Sequence, residues 1–328
     1  MDGGDWREMT LSVLLYFSFR FPNIGNRMFQ CLILHLFFCV SMYFIYFCSK
    51  SMLMPEFVQL DVKVFDKFIR KFSERYIEQR SETTNVNIDS LDSSQLNDCG
   101  FNVERLKRVI KKNAVAIDLK REQGLAPAIL NDIYRSDLGE LLMTYYFEEK
   151  IGEGKRFIIP LKNISSRELA QLPGRSLDAI GYRIDNGLFN ILLGEAKVSE
   201  QKKTPPDVVH VTEDSIYKSQ KKHHEDLPMV IQKLSDYCRK LGAEDFMTFA
   251  CAVLYMETGQ TDKYTLTFGC TLIRDFTCCG KKDYGKMQTN VSDFNPNDIH
   301  FVVLSFTQKT ISETVDLFYK EVQKTIKQ

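Results

Sequence analysis

Two alternating, mainly apolar runs separated by a turn signal form the most informative local pattern in the chain. The first covers residues 176–184 and the second covers residues 189–197. Between them stands Asn186-Gly187, a pair that favours a type I′ turn because both central residues of that turn need a positive φ. The pattern therefore predicts a β-hairpin with a two-residue loop.

The register of this hairpin brings two carboxylates together. In a two-residue loop, Asp185 pairs with Leu188. Counting back along both strands then places Asp178 opposite Glu195, with their Cβ atoms roughly 5 Å apart. Side chains alternate along a strand, so Lys197 points to the same face as Glu195. The other positions of that face are apolar or aromatic: Ile180, Tyr182, Ile184, Phe189, Ile191 and Leu193.

Two carboxylates at the edge of an apolar face destabilise the hairpin unless something offsets their charge. Like charges directly opposite one another repel, and buried carboxylates without partners take up protons. A divalent cation held by oxygen ligands resolves both problems, so we expect a metal site here. The alternative is a solvated strand end with a Glu195–Lys197 ion pair. The reverse face has small residues that allow another element to approach closely: Ala179, Gly181, Gly194 and Ala196.

Further periodic segments surround the hairpin. Apolar residues at helical spacing predict a helix over residues 135–149. Residues 157–161 predict a short strand, and Pro160 favours a position at the edge or end of a sheet. Boundary signals at both ends predict a second helix over residues 227–241. Apolar runs predict additional strands at 246–256, 264–273 and 300–306, the first of which is alternatively a buried helix.

At Asp178 and the Glu195-Ala196-Lys197 triplet the chain resembles the PD-(D/E)xK nuclease superfamily. The resemblance implies an α/β fold with a restriction-endonuclease-like core: a helix, a three-stranded sheet with the hairpin, a helix and a strand, with additional strands and helices. Within that superfamily the chain is similar to HamA, the nuclease subunit of the Hachiman antiphage system. The similarity covers residues 125–328 and is carried by Gly139-Glu140-Leu-Leu, Leu177-Asp178-Ala-Ile and Gly194-Glu-Ala-Lys197.

The resemblance also implies roles for four residues. Asp178 and Glu195 would bind Mg²⁺ or Mn²⁺, and Glu140 from the preceding helix would complete the metal site. Lys197 would orient or polarise the attacking water. The implied activity is that of a Mg²⁺-dependent endodeoxyribonuclease, which cleaves DNA with little sequence preference and is held in check by a helicase partner. Two alternatives stay open: a catalytically silent scaffold for partner binding, and a membrane-attached interaction protein.

Charge limits where such a protein can bind DNA. The 328 residues are 44% hydrophobic and 26% charged, as in ordinary globular proteins, and their formal net charge is zero. A nucleic-acid surface must therefore be local. Five lysines near the carboxylates are candidates for phosphate contact: Lys202, Lys203, Lys218, Lys221 and Lys222. For the adjacent His223 and His224 we expect a surface location.

The rest of the chain divides by composition. We expect residues 52–124 to form a mixed, mostly helical region with a polar linker at 81–99, followed by the nuclease-like domain at 125–328. The nine cysteines form no Cys-x-x-Cys motif. Such cysteines are typical of reduced thiols in a cytoplasmic protein.

The N-terminal 51 residues differ from everything that follows. Residues 28–48 form an apolar run of 21 residues that contains no Asp, Glu, Lys or Arg. A run of this length can span a bilayer, which would give the protein a membrane anchor. The alternative is a misassigned start, because Met52 and Met54 directly precede ordinary soluble sequence. Under either interpretation we expect residues 1–51 to add nothing to the nuclease fold.

Overall fold

The computed structural model describes residues 55–81, 87–90, 92–117, 130–167, 169–170, 177–238 and 243–327. These residues belong to one compact unit, Met54–Gln328. The apolar run at 28–48 lies outside the described residues, so both interpretations of it stay predictions. Among the described helices, none is long and apolar enough to cross a membrane.

A six-stranded mixed sheet forms the centre of the unit, in the order β1-β6-β5-β4-β3-β2. The strands are β1 (Glu56–Val62), β2 (Ile158–Lys162), β3 (Ala179–Asp185), β4 (Leu188–Ser199), β5 (Tyr264–Asp275) and β6 (Asp298–Phe306). Strands β2, β3 and β4 are antiparallel neighbours, whereas β4, β5, β6 and β1 run parallel. Parallel strands are covered on both faces, which explains why β5 and β6 are buried along almost their whole length.

Helices cover both faces of this sheet. In chain order they are α1 (Asp66–Ser81), α2 (Ser94–Asp98), α3 (Val103–Ala114), α4 (Leu130–Tyr145), α5 (Asn163–Ser166), α6 (Asp207–His210), α7 (Ile216–Glu225), α8 (Leu227–Cys238), α9 (Ala243–Glu257), α10 (Gly285–Thr289) and α11 (Ile311–Lys327). A π-helical turn, Tyr146–Lys150, continues α4. Short 3₁₀ turns occur at Ile88–Ser90, Phe276–Cys278 and Val291–Phe294.

The core has two apolar clusters, one on each face of the sheet. The first lies under α1, α4 and α11, where the rings of Tyr76, Tyr134 and Phe318 pack edge to face or tilted. The second lies under α7, α8 and α9. The amphipathic pattern of α11 explains its place in the first cluster, because its buried residues recur at helical spacing.

The predicted hairpin is confirmed, including its register. Ala179 pairs with Gly194 and Asp185 pairs with Leu188, as the two-residue loop requires. Asn186 and Gly187 both have a positive φ, 51° and 84°, as expected for a type I′ turn. The short strand around Pro160 is confirmed as β2 and lies at the edge of the sheet.

Two other expectations need correction. The apolar run at 246–256 is the helix α9, not a strand. Strands β4 and β5 are parallel, so a crossover must connect them, and this run belongs to that crossover. The described part of residues 52–124 is not a separate region, because β1 extends the same sheet and α1 packs in the first apolar cluster. Within 81–99, short helical turns replace part of the expected linker.

Candidate active site

The open end of the hairpin brings the predicted carboxylates together. Asp178 immediately precedes β3 and donates its backbone N–H to the carbonyl oxygen of Gly194 at 3.1 Å. Its carboxylate accepts the backbone N–H of Ala196 at 2.7 Å, so its side chain lies beside β4. Glu195 is only 6% exposed, and its charge and that of Asp178 act on each other. The paired register begins at Ala179–Gly194, so Asp178 lies just outside the ladder, and its direct pairing with Glu195 stays a prediction.

Burial keeps this pair of carboxyls partly protonated in the metal-free chain. Burial raises the pKa of Asp178 to about 6, although the Ala196 N–H and the charge of Lys197 act against it. For Glu195, burial and the like charge of Asp178 raise the pKa to about 8. The positive charge near these carboxyls is therefore too small to offset burial and keep both of them ionised.

Lys197 lies within ion-pair distance of two carboxylates. Its Nζ is 3.2 Å from Glu195 Oε1 and 3.4 Å from Asp214 Oδ2. Burial disfavours the ammonium form, but Glu195 and Asp178 outweigh burial and raise the pKa of Lys197. The ammonium is therefore retained beside the carboxylates. Asp214 lies in the segment between α6 and α7, and sequence reasoning gave no signal for it.

Glu140 reaches this site from the opposite face of the sheet. A Cβ at its neighbour Gly139 would lie 2.8 Å from Val198 Cγ2, so α4 packs closely on the face that carries residues 194, 196 and 198. Side-chain alternation then puts Glu195 and Lys197 on the other face. The small residues on the reverse face of the hairpin therefore admit the close approach of another element, as predicted, and that element is the helix α4.

Asn163 connects Glu140 with Asp178. Its side chain donates to Glu140 Oε1 at 3.1 Å, and its backbone N–H donates to the carbonyl oxygen of Asp178 at 2.9 Å. The second carboxylate oxygen of Glu140 is buried without a hydrogen-bond partner. Burial, followed by the charges of Asp178 and Asp137, raises the pKa of Glu140 well above its usual value.

A buried ion pair lies behind Glu140. Arg167 and Asp137 are bidentately hydrogen-bonded, and their side chains are 3% and 0% exposed. An Arg167 nitrogen is also 4.0 Å from Glu140 Oε1, and the charge of Arg167 lowers the pKa of Asp178. These residues belong to the surroundings of the site, but no local pattern links them because they come from different elements.

The helix α7 corrects the expectation for the histidines. His223 is 6% exposed, so it is not at the surface, and His224 packs against the rings of Phe268 and Phe294. The same helix directs Gln220 at the hairpin, where its side chain donates to the Leu193 carbonyl oxygen at 2.9 Å. The apolar face of α7 packs on the sheet, and this packing buries residues that the local sequence presents as polar.

The five candidate lysines differ in whether they form ion pairs with carboxylates of the protein. Lys203, Lys218 and Lys221 form ion pairs with carboxylates at distances from 2.5 to 3.6 Å. Lys202 and Lys222 are exposed, and no ion pair with another described residue involves them. Phosphate contact therefore stays a prediction, with these last two lysines the freest to make it.

A buried arginine stabilises the ends of two central strands. Arg274 and Asp283 have fully buried side chains 3.2 Å apart. The guanidinium also donates to the carbonyl oxygens of Ser199, Lys203 and Cys278. Arg274 thereby holds the segments that follow β4 and β5, just beyond Lys197.

The donor atoms of the site fit a hard divalent cation. Asp178, Glu195 and Glu140 offer only carboxylate oxygens as metal ligands. One of them, Glu140 Oε2, is buried without a hydrogen-bond partner. Among the described residues, no group of three or more His, Cys, Asp or Glu side chains is already placed to hold a metal ion. Mg²⁺ is commonly held by one or two carboxylates, with water and substrate phosphate completing its coordination, and the Asp178–Glu195 pair is compatible with such a site.

Comparison with known proteins places this site in a family. No curated protein is significantly similar to the chain, and no solved structure is either. A model of the HamA family matches residues 59–322, from within β1 to within α11, and so includes Glu140, Asp178, Glu195 and Lys197. The match extends further toward the N-terminus than the resemblance at 125–328, in keeping with the place of β1 in the sheet. Since this match covers most of the chain, the protein belongs to the HamA family.

Proposed function

We propose that this protein is a metal-dependent nuclease that hydrolyses DNA phosphodiester bonds with little sequence preference. The observation that carries the proposal is the meeting of Asp178, Glu195 and Lys197 at one buried edge of the sheet. Two carboxylates that remain partly protonated without a counter-ion, next to a retained ammonium, suit a site that is completed by a cation. No feature of the chain points to base-specific readout.

The order of elements supports a PD-(D/E)xK core of the restriction-endonuclease type. The helix α4 is followed by the antiparallel strands β2, β3 and β4, then by a helical crossover, and then by β5 alongside β4. Asp178 adjoins the second of these strands, and Glu195 and Lys197 lie in the third. In this proposal, β1, β6 and the remaining helices are additions to that core.

Asp178 and Glu195 would hold Mg²⁺ or Mn²⁺, and Glu140 would support it from the other side of the hairpin end. Bound metal would polarise the scissile phosphate and lower the pKa of a water molecule. Loading the site requires both carboxyls to be ionised, so metal binding releases the protons that burial retains on them. Asn163 and the Ala196 N–H fix the orientation of the carboxylates and so reduce the reorganisation that binding needs.

Lys197 would act on the attacking water. Its ammonium donates a hydrogen bond to the water oxygen and favours the hydroxide form through its positive charge. The water oxygen bonds to phosphorus while the phosphorus–oxygen ester bond breaks, and the departing sugar oxygen takes up a proton. The products are a phosphate monoester and a free hydroxyl, so the reaction consumes one water and needs no oxidant or reductant.

The HamA family is linked to antiphage defence, and we place this chain as a component of a Hachiman system on that basis. A helicase partner that holds the nuclease in check follows from the same resemblance. Co-expression with the protein encoded by the neighbouring gene, if that gene encodes a helicase, followed by co-purification, tests this partnership. The expected result is a stable complex that cuts DNA more slowly than the isolated chain.

Cleavage assays with matched variants test the nuclease proposal. The purified chain should cut plasmid DNA in Mg²⁺ or Mn²⁺ but not in EDTA. Lys197→Met and Glu195→Gln preserve side-chain size, and each should lower the cleavage rate by about 10²- to 10³-fold. Lys320→Met changes an exposed lysine on α11 and should cut like the parent.

Circular dichroism would show that each variant is folded. A Lys197→Met protein that cuts as fast as the parent would refute the site assignment. A folded parent that cuts no DNA in either metal would favour a catalytically silent scaffold instead.

A further inference from the structure

A second lysine lies in the helical layer over the face of the sheet that carries Glu195 and Lys197. Lys233 lies on α8 (Leu227–Cys238), within the group of helices that covers the site face of the sheet. Its side chain is half-buried, and the charge of Glu195 acts on it. Sequence reasoning missed Lys233 because nothing local relates α8 to the hairpin.

The immediate partner of Lys233 is an uncharged histidine. Its Nζ lies 3.5 Å from His223 Nε2. Burial, with the charges of Lys233 and Lys222, lowers the pKa of His223 to about 4, so the imidazole is neutral at physiological pH and its Nε2 accepts a hydrogen bond from the ammonium. The other ring nitrogen, Nδ1, is buried without a partner. His223 therefore positions Lys233 without neutralising it.

The charge of Lys233 is only partly offset, by Glu195 and Asp226, which lie beyond ion-pair distance. No carboxylate among the described residues forms an ion pair with it, whereas Lys197 has two such partners. Partial burial of a cation without a counter-ion costs free energy, and burial accordingly lowers the pKa of Lys233. Such a cation beside the site can form an ion pair with an anionic substrate.

We propose that Lys233 is a further catalytic residue, which contacts a non-bridging oxygen of the scissile DNA phosphate. This inference rests on the proposed nuclease function, which locates the phosphate at the edge formed by Asp178 and Glu195. Lysine binds phosphate as a point charge, and a fixed cation stabilises the charge that develops on phosphate oxygens as the ester bond breaks. Lys197 acts on the water, and Lys233 acts on the phosphate.

The competing role for Lys233 is that of a counter-ion for the carboxylates, and metal titration separates the two roles. Lys233→Met should lower the single-turnover cleavage rate by about 10- to 100-fold at saturating Mg²⁺. Lys233→Arg keeps the charge and should recover part of that loss. A counter-ion role predicts that Lys233→Met binds Mg²⁺ more tightly and cuts at the parental rate once metal is saturating, and this result would overturn the inference.

The salt dependence of DNA binding gives a readout that does not depend on turnover. In the cleavage-deficient Glu195→Gln background, adding Lys233→Met should reduce the slope of log Kd against log salt by about 0.7–0.9, the effect of losing one phosphate contact. Adding Lys320→Met should leave the slope unchanged. An unchanged slope with Lys233→Met would overturn the contact.

A parent chain that cuts no DNA would overturn the nuclease proposal, whereas a parent that cuts no faster than Lys233→Met would overturn only this inference.

Discussion

At Glu195, burial and the like charge of Asp178 both raise the pKa of the carboxyl. The carboxyl is enclosed by the sheet and the helical layer, and Asp178 lies across the hairpin from it. Lys197 acts against both effects but is shared with Asp214, so it does not neutralise the pair. Ionising these carboxyls therefore lowers the stability of the folded chain. Such destabilised groups are typical of sites that bind a ligand.

The pH dependence of stability should reveal these carboxyls. Their pKa values in the folded chain are about 6 for Asp178 and about 8 for Glu195, against ordinary values of 3.8 and 4.5. Folded pKa values that are raised contribute stability at low pH, and this contribution is lost as the pH rises through the folded values. The melting temperature of the metal-free chain should therefore fall between pH 5 and pH 8.

Calorimetry with matched variants measures this effect. Glu195→Gln should flatten the fall, and Mg²⁺ should raise the melting temperature more at pH 8 than at pH 5 because it binds the ionised form. Glu153→Gln, in an exposed loop, serves as the control. If Glu195→Gln and the control follow the same pH curve as the parent, Glu195 is not a carboxyl with a raised pKa.

At the scale of elements, the site depends on how closely α4 approaches β4. Gly139 and Gly194 leave room for this contact, because a Cβ at Gly194 would lie 3.0 Å from Met143 Cε. This contact determines how far Glu140 lies from the end of the hairpin. Asn163 then fixes the Glu140 side chain through a hydrogen bond. A helix that packed even slightly further out would lose this arrangement, since close-packed elements do not deform freely.

Gly139→Ala tests this approach. In an exposed helix the change would stabilise by about 0.5–1 kcal/mol. Here the added methyl meets Val198 Cγ2 at 2.8 Å, so we expect destabilisation of about 1–3 kcal/mol and slower cleavage. Val198→Ala removes the obstructing methyl groups, and the double variant should regain much of the loss. Urea unfolding gives the energies of the cycle, and strictly additive effects would contradict this packing.

At the scale of the whole molecule, the family match and the compact unit have nearly the same extent. The match covers residues 59–322, and the unit is Met54–Gln328. Strand β1 is part of both, and it pairs with β6 along its whole length. The region before α4 therefore belongs to the structure that carries the site.

Truncation from the N-terminus should show a sharp boundary. A chain that begins at Met54 keeps β1, so we expect it to fold, to be more soluble than the full chain and to cut DNA. A chain that begins at Lys63 lacks β1 and exposes the edge of β6, so we expect aggregation. Solubility, circular dichroism and cleavage of both fragments provide the measurement. Loss of folding in the Met54 fragment would show that residues 1–53 are needed.

The hairpin was predictable because its determinants are local. Asn186-Gly187 sets the turn, the turn sets the register, and the register places Asp178 by Glu195 with Lys197 on the same face. Each step follows from backbone geometry over a few residues. The sequence by itself therefore determined the centre of the candidate site and the strands that carry it.

The surroundings of that centre were decided only by tertiary packing. Glu140 and Arg167 reach the site from the helical layer behind the sheet, and Lys233 lies in the opposite layer, where the charge of Glu195 acts on it. Periodicity shows which side of a helix is apolar, but it does not show which helices cover which face or where they cross the strands. Those choices come from the packing of distant segments against one sheet, and they determine which charges meet at its edge.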